Sequence, residues 1–480
     1  MSPRDGNHDS MNAEALSEAR AAAGSGPASG DALEAIAAQA VERARAAGAA
    51  HAEACVESSR AFSVTVNGGI IETLKHSATR GLGLRVWVND AVGFVSSTDL
   101  RPAALDDAAH HAVALARLST PDPCNGAPTP SEAGPACDVD LALFDPAVPA
   151  LEADRQIEWA HELERLALAY DPRIRRTEGA SSRSSDGTSA LVNSHGVARR
   201  WSGTLVSLSV VPLADDRDGK QQTGYFGSAK RAVRDLPALE FVAAEAARRA
   251  VARIGARTIP SARVPVILHP DIAGAWISEM HDAFSGESVI KQSSWLTGRL
   301  GEMIAVPLIT LVDDGRMRGG VGTDPYDGEG VVTRRNVLID RGRCAMFEYD
   351  YYYARRAGTT STGSAVRSYS SQPGIGYSNL YLEPGTESPE QILKKVERGF
   401  LMDDQGSFGF NPVTGDYSYQ AQGFWVEKGE KLFPVDGVTV AGNSLEMLRN
   451  VIAIGNDLRF DHSVASPTIL IGEMTVSGGA

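Results

Sequence analysis

Phe62-Ser63-Val64-Thr65-Val66-Asn67-Gly68-Gly69-Ile70-Ile71-Glu72-Thr73-Leu74 reads as two strands joined by a tight turn. β-Branched and aromatic residues alternate with polar ones on both sides of Asn67-Gly68-Gly69, and the two glycines permit the positive φ that a hairpin turn demands. The pattern recurs at once, with Gly83–Trp87, a turn at Asn89-Asp90, and Val92–Val95. Antiparallel strand pairs are therefore expected at the start of the fold.

Helices flank these strands. Leu33, Ile36, Ala37, Ala40, Val41 and Ala44 recur at helical spacing across Asp31–Ala47, with Asp31 placed to cap the first turn. Residues 102–118 and 151–169 carry the same periodicity. A second strand pair is expected at Ser189–Asn193 and Thr204–Val211, turning at Asn193-Ser194-His195-Gly196, before a helix over Leu239–Ile254. Helix, paired strands, helix thus occurs twice, a weak internal duplication. Between the halves, Thr120–Pro135 is dense in Pro, Gly and Ala and reads as an exposed irregular insertion.

A composition shift near Ala256–Pro265 marks a domain boundary. Beyond residue 290 the chain is rich in Gly and short β-type runs, including Ile304–Val312, Val331–Asp340 and a hairpin over Gly423–Glu430. The aromatic run Tyr349–Tyr353 reads as packing within that β-rich region. The fold class expected is α+β. It comprises a disordered tail over 1–30, an N-terminal α/β domain over 31–257 with antiparallel strand pairs, and a mainly β domain over 258–480.

Composition excludes several functions. With 60 acidic against 46 basic residues the net charge is −14, so nucleic acid, whose binding draws on Lys and Arg, is not an expected partner. No apolar run is long enough to cross a bilayer, and the first thirty residues lack the basic start and apolar core of a secretory signal. A cytoplasmic protein is the expectation. Cys55, Cys124, Cys137 and Cys344 form neither a zinc spacing nor a disulfide framework and read as free thiols. Gly81-Leu82-Gly83 lacks the third glycine and following helix of a dinucleotide fingerprint and reads as strand. Asp327 and Glu329 are too sparse for a calcium loop and read as a turn.

One stretch points toward metal chemistry. After the apolar strand Val264–Leu268, His281-Asp282-Ala283-Phe284-Ser285-Gly286-Glu287 is expected on a helix. A zinc hydrolase helix needs two imidazoles and a carboxylate to take a proton from bound water. Only one imidazole is present. Ser285, four residues on, is a poor zinc ligand, and Gly286 offers no side chain.

The second half resembles the TldD/PmbA family of bacterial peptidase proteins. The resemblance runs from about residue 265 to the end through Ser293–Glu302 (SSWLTGRLGE), Thr310-Leu311-Val312-Asp313-Asp314, Tyr326-Asp327-Gly328-Glu329-Gly330, Gly409–Ser418 (GFNPVTGDYS), Val440-Ala441-Gly442-Asn443 and Gly472-Glu473-Met474-Thr475-Val476. The first half fits through Arg80–Val86 and Ser96–Leu100. The resemblance implies that the TldD branch is the zinc peptidase, with a His-Glu-x-x-x-His helix and a distant C-terminal cysteine. This chain keeps His281 at the first ligand position, but Asp282 stands for the Glu and Gly286 for the second His. No cysteine follows Cys344. A stable zinc site would need recruited ligands such as His269, His462 or Cys344.

These departures agree with the PmbA branch, also called TldE, which the resemblance implies is a non-catalytic subunit paired with a TldD-type zinc peptidase. On that reading no catalytic residue, metal or cofactor belongs to this chain, and zinc sits in the partner. Unfolded peptides, among them leader segments of modified peptides and antitoxins, are the implied substrates. Two other readings stay open: a hydrolase in its own right using His281 with Asp282 or Glu287, and a binding or scaffold protein without a peptidase partner.

Overall fold

The structure, a computed structural model, describes residues 29–407 and 409–479. The tail expected over 1–30 falls almost wholly outside the described residues. The chain forms two compact units, one from residues up to Pro130, Ala142–Ile254 and Ser368–Gln372, the other from Ser131–Leu141, Gly255–Arg367 and Pro373 onward.

The first unit is a twisted antiparallel sheet. Strands β1 (His51–Asn67) and β2 (Ile70–Val88) form a long hairpin, with Val64 opposite Leu74 and Asn67 opposite Ile70. Gly68 and Gly69 take φ of 63° and 74°, values that only glycine adopts freely, and this closes the turn. β3 (Ala91–Ser97) pairs with β2, while β4 (Ile174–Asn193) and β5 (Ala198–Asp215) form the second hairpin. Short strands β6 (Gln221–Thr223) and β7 (Phe226–Lys230) both pair with β5, giving the order β3-β2-β1-β4-β5-β6. Both strand pairs extend well beyond the stretches anticipated from alternation, because the ends of β1 and β4 are buried on both faces and lose their period-2 pattern.

Helices α1 (Gly30–Ala46), α2 (Pro102–Leu118), α3 (Ala153–Tyr170) and α4 (Leu239–Ala252) pack on this sheet. Their order reproduces the helix, hairpin, helix duplication. α1 buries Leu33, Ala37, Ala40, Val41 and Ala44 against Leu82, Leu84 and Val86 of β2, and each such leucine contributes about 1.5–3 kcal/mol by leaving water. Ser29, not Asp31, caps α1, its Oγ accepting from the Ala32 N–H at 3.3 Å. Asp31 lies inside the first turn.

The second unit holds the larger β content. Strands Glu430–Asn443, Asp416–Glu427, Arg398–Gln405, β8 (Ala262–Leu268) and Ile469–Gly478 pair in that order, and the last pairs back to the first, closing a ring. Only the Arg398–Gln405 pairing with β8 is parallel within the ring. A second sheet joins Arg343–Cys344, Arg335–Asp340, Leu311–Asp314, Leu380–Leu382 and Val464–Ala465. Trp276, Phe284, Phe400, Tyr417 and Tyr419 are buried in one continuous core. The hairpin expected over Gly423–Glu430 is present, turning at Lys428 and Gly429.

Several expectations are corrected. The strand anticipated over Ile304–Val312 is confined to Leu311–Asp314, since Pro307 has no N–H to donate and the Ile304 and Ala305 N–H groups both go to the Gly342 carbonyl. Val331–Asp340 contributes only Arg335–Asp340. The tyrosine run opens a helix, Tyr351–Ala357, capped by Asp350, whose Oδ1 accepts from the Tyr353 N–H at 2.7 Å. The insertion over 120–135 is not wholly exposed: Ala127 and Ala133 are buried and Pro130–Ala133 makes a helical turn. All four cysteines are free. Among the described residues no helix is long and apolar enough to cross a membrane.

Candidate functional site

β8 ends at Leu268, and His269 turns the chain into helix α5 (Pro270–Met280), its Nδ1 accepting from the Asp271 N–H at 3.3 Å. Ile272, Trp276, Ile277 and Met280 bury one face of α5 and fix its direction. The single helix expected through Glu287 does not exist. α5 stops at Met280, residues His281–Phe284 form a 3-10 turn, Ser285 is extended at φ −67° and ψ 126°, and a new short helix covers Gly286–Ile290. The interruption is tertiary in origin. The Gly286 N–H donates to the Glu348 carbonyl at 2.7 Å and the Glu348 N–H to the Phe284 carbonyl at 2.9 Å, so the segment binds a neighbouring chain where it would have continued its own ladder.

His281 is buried, and its Nε2 lies 2.6 Å from Glu348 Oε2. Glu348 is fully buried, and its other oxygen accepts from Asn336 Nδ2 at 3.1 Å and Ser364 Oγ at 3.0 Å. Thr362 extends the network, its hydroxyl 2.9 Å from that of Ser364. Asp313 stands across the strand pair from Asn336 and accepts from the Ser378 N–H at 2.8 Å. Burial, then the neighbouring Glu348 carboxylate, pushes the Asp313 carboxyl well above its usual range. The His281 ring meets Tyr377 edge to face at 4.9 Å, and the Tyr377 hydroxyl lies 2.9 Å from Ser278 Oγ.

The remaining positions of the degenerate motif do not converge on His281. Asp282 is exposed and accepts from Ser288 Oγ at 3.1 Å. Glu287 pairs with Lys291 at 2.5 Å; burial raises its carboxyl, but the bonds to Lys291 and Tyr353 outweigh that and hold it below its ordinary value. Gly286 has no room for a side chain, since a Cβ there would lie 2.2 Å from Tyr349 Cδ1 and 2.9 Å from the Glu348 carbonyl oxygen. Asp327 braces a turn, its Oδ1 accepting from the Glu329 and Val331 N–H groups at 2.8 and 2.9 Å.

The residues present do not fit a zinc ion. Zinc needs three or four N, S or O ligands around one point. The His281 Nε2 is spent on Glu348, and the space for a second imidazole holds the Tyr349 ring. His269 caps a helix, His462 is exposed, and the Cys344 thiol is pushed up to about 12 by burial and then by Glu302, which opposes the thiolate a metal requires. Among the described residues no group of three or more His, Cys, Asp or Glu side chains is arranged to hold a metal.

Glu348, Asp313, Asn336, Ser364 and Tyr349 were not anticipated from the residues alone. The available signal was an acid between apolar neighbours, Met346-Phe347-Glu348-Tyr349 and Leu311-Val312-Asp313, since a carboxylate in such a run is either exposed or firmly partnered.

Family models match nearly the whole fold. Residues 52–116 match PmbA/TldA metallopeptidase domain 1, residues 146–254 the central domain and residues 261–478 the C-terminal domain. This chain belongs to the PmbA/TldD family. It is 33% identical to metalloprotease PmbA of Escherichia coli O157:H7 over 427 residues, covering 89% of this chain and 92% of that protein. From Haemophilus influenzae, a PmbA homolog is 30% identical over 92% of this chain and 94% of its own length, and a TldD homolog is 26% identical over 87% and 90%. Among PmbA/TldD-type folds, crystalline TldE from Thermococcus kodakarensis superposes with a TM-score of 0.84 at 24% identity, covering 92% of this chain and all of that one. The PmbA/TldD fold is therefore present across both units.

Proposed function

We propose that this chain is the PmbA-type, or TldE-type, subunit of a TldD–TldE zinc metallopeptidase complex that degrades or processes unfolded peptides, with the zinc held by a TldD-type partner. The observation that carries the reading is the exchange at the metal helix. Tyr349 fills the place of the second imidazole, and Glu348 takes the Nε2 that would otherwise face an ion. The greater identity to the PmbA homolog than to the TldD homolog of one organism, 30% against 26%, supports the same branch.

In this role the His281–Glu348–Asn336–Ser364 network is structural, replacing the metal as the element that fixes the broken helix. The complex acts in the cytoplasm on substrates such as modified-peptide leaders and antitoxins. Catalysis by this chain alone is disfavoured by the scatter of Asp282 and Glu287 onto Ser288 and Lys291, which leaves His281 without a water-facing acid or base. The test is co-expression with a TldD-type protein from the same genome. The two should co-purify and only the pair should cleave an unfolded peptide; failure to co-purify, or cleavage by this chain alone, would contradict the reading.

A further inference from the structure

The first-unit sheet ends at β3, which pairs with β2 alone. Asn89 and Asp90 join the two strands with φ of 50° and 63°, the type I′ turn of a two-residue hairpin, so Val88 and Ala91 exchange the first pair of bonds. Alternation then commits Gly93, Val95 and Ser97 to β2 and turns the N–H and C=O groups of Val92, Phe94 and Ser96 away from it. Trp87 keeps the same phase, its carbonyl accepting on the β1 side from the Ala50 N–H at 2.8 Å. Among the described residues these outward groups of Val92, Phe94 and Ser96 make no hydrogen bond.

Proteins guard such an edge with Lys, Pro, a bulge or a very short strand. At the far end of the sheet β6 and β7 are three and five residues long. β3 has seven residues, no charge, no proline and an unbroken register. Its two faces differ. Gly93 lies under α2, where a Cβ would stand 2.1 Å from the Ala112 carbonyl oxygen, whereas Val92 and Phe94 point the opposite way and are half-buried. At the turn, the Asp90 carbonyl accepts from the Asp122 N–H at 3.0 Å and from Asn125 Nδ2 at 2.8 Å, so the open edge stops beside the exposed Asp90.

We infer that the β3 edge is a binding site for an extended, proline-free peptide, which adds antiparallel to β3 as the next strand. The outward backbone groups of Val92, Phe94 and Ser96 bond it, alternate apolar side chains lie beside Val92 and Phe94, and a basic residue toward its C-terminal end meets Asp90. A second copy of the chain is the poorer occupant, because β3 carries no basic group to offset two net charges of −14. The inference rests on the subunit reading for its substrate, giving this chain a place to hold the peptide that the partner cuts.

The probe is acetyl-Thr-Val-Thr-Ile-Thr-Val-Thr-Lys-Lys-amide added to the full-length protein without a partner, with affinity read by calorimetry and position by hydrogen exchange and mass spectrometry. Binding should be saturable and should slow exchange across residues 91–97. N-methylation of the valines and the isoleucine removes the donors that face β3 and should weaken binding at least about tenfold, while N-methylation of the threonines between them should change it by less than about twofold. Replacing Lys-Lys by Glu-Glu should also cost at least about tenfold. Ser96→Pro, at an exposed position whose N–H is not bonded to β2, should lose about tenfold in affinity with the fold retained, as thermal melts check. No saturable binding, equal binding of the two N-methylated peptides or of the basic and acidic ones, or unchanged binding by folded Ser96→Pro would overturn the proposal. Concentration-dependent protection of 91–97 without peptide would also overturn it, making the edge an interface between copies. Any of these results in a chain that co-purifies with a TldD-type protein defeats this inference alone, whereas peptide binding without co-purification defeats the subunit reading alone.

Discussion

His281 and Glu348 are 67 residues apart in sequence, yet Nε2 and Oε2 meet at 2.6 Å inside the second unit, with 5% of the histidine and none of the glutamate exposed. A carboxylate so placed requires hydrogen bonds to offset lost hydration, and Asn336 and Ser364 supply two more. The same glutamate, through its backbone, receives the Gly286 N–H and donates to Phe284. Side chain and main chain of one residue thus hold both sides of the helix break.

Replacing Glu348 by Gln should destabilise the protein by about 1–3 kcal/mol, because a carboxamide cannot accept from His281, Asn336 and Ser364 at once and turns a donor toward one of them. Urea unfolding of Glu348→Gln measures this. A midpoint equal to that of the wild type would show that the network carries no stability.

Gly286→Ala should cost about 1–3 kcal/mol through overpacking against the Tyr349 ring. The cost should shrink when Tyr349→Ala is added, since the two residues share one space. A double-mutant cycle by chemical denaturation reads the coupling; additive losses would mean that Tyr349 is not what excludes a side chain at Gly286.

Much of the first unit is legible in the sequence. The turn at Gly68-Gly69 and the α1 periodicity are local signals, and local signals survive folding. The break at Ser285 was not legible, because it comes from hydrogen bonds to Glu348, a residue whose position depends on the whole second unit. The Tyr351–Ala357 helix has instead a local signal, the Asp350 cap on the Tyr353 N–H, which a reading of the aromatic run as packing in a β-rich region passes over. The motif positions His281, Asp282, Gly286 and Glu287 could be found by resemblance, yet only the fold separates a buried imidazole from an exposed Asp282 and a half-buried Glu287 paired with Lys291.

Acid should weaken the protein partly through Glu245. Burial raises its carboxyl, but bonds to Arg248 and Arg249 at 2.8 and 2.9 Å dominate and hold it at about 2, against an ordinary 4.5. A depressed folded-state value contributes stability above the unfolded value, and that contribution is lost as pH falls through the folded one. Glu245→Gln should therefore be destabilised by on the order of 1–3 kcal/mol at pH 7, with the gap to wild type closing between about pH 5 and pH 2. A gap independent of pH would contradict the assignment.

Thiol reactivity should divide the four cysteines in two. Cys55 and Cys344 are buried, and the Cys344 thiol lies at about 12, whereas Cys124 and Cys137 are partly exposed. A thiolate reagent applied to the native protein should label Cys124 and Cys137 first and reach Cys344 only on unfolding. Rapid native labelling of Cys344, located by mass spectrometry, would contradict the packing of the second unit.

The most direct test of the central claim is the zinc content of this chain, purified alone without a metal-affinity tag and measured by elemental mass spectrometry. With His281 bound to Glu348 and Gly286 closed by Tyr349, the account predicts a folded protein with far less than about one zinc per chain, and zinc recovered only when a TldD-type partner co-purifies. Close to one tightly held zinc per isolated chain, lost in His281→Ala, would contradict it.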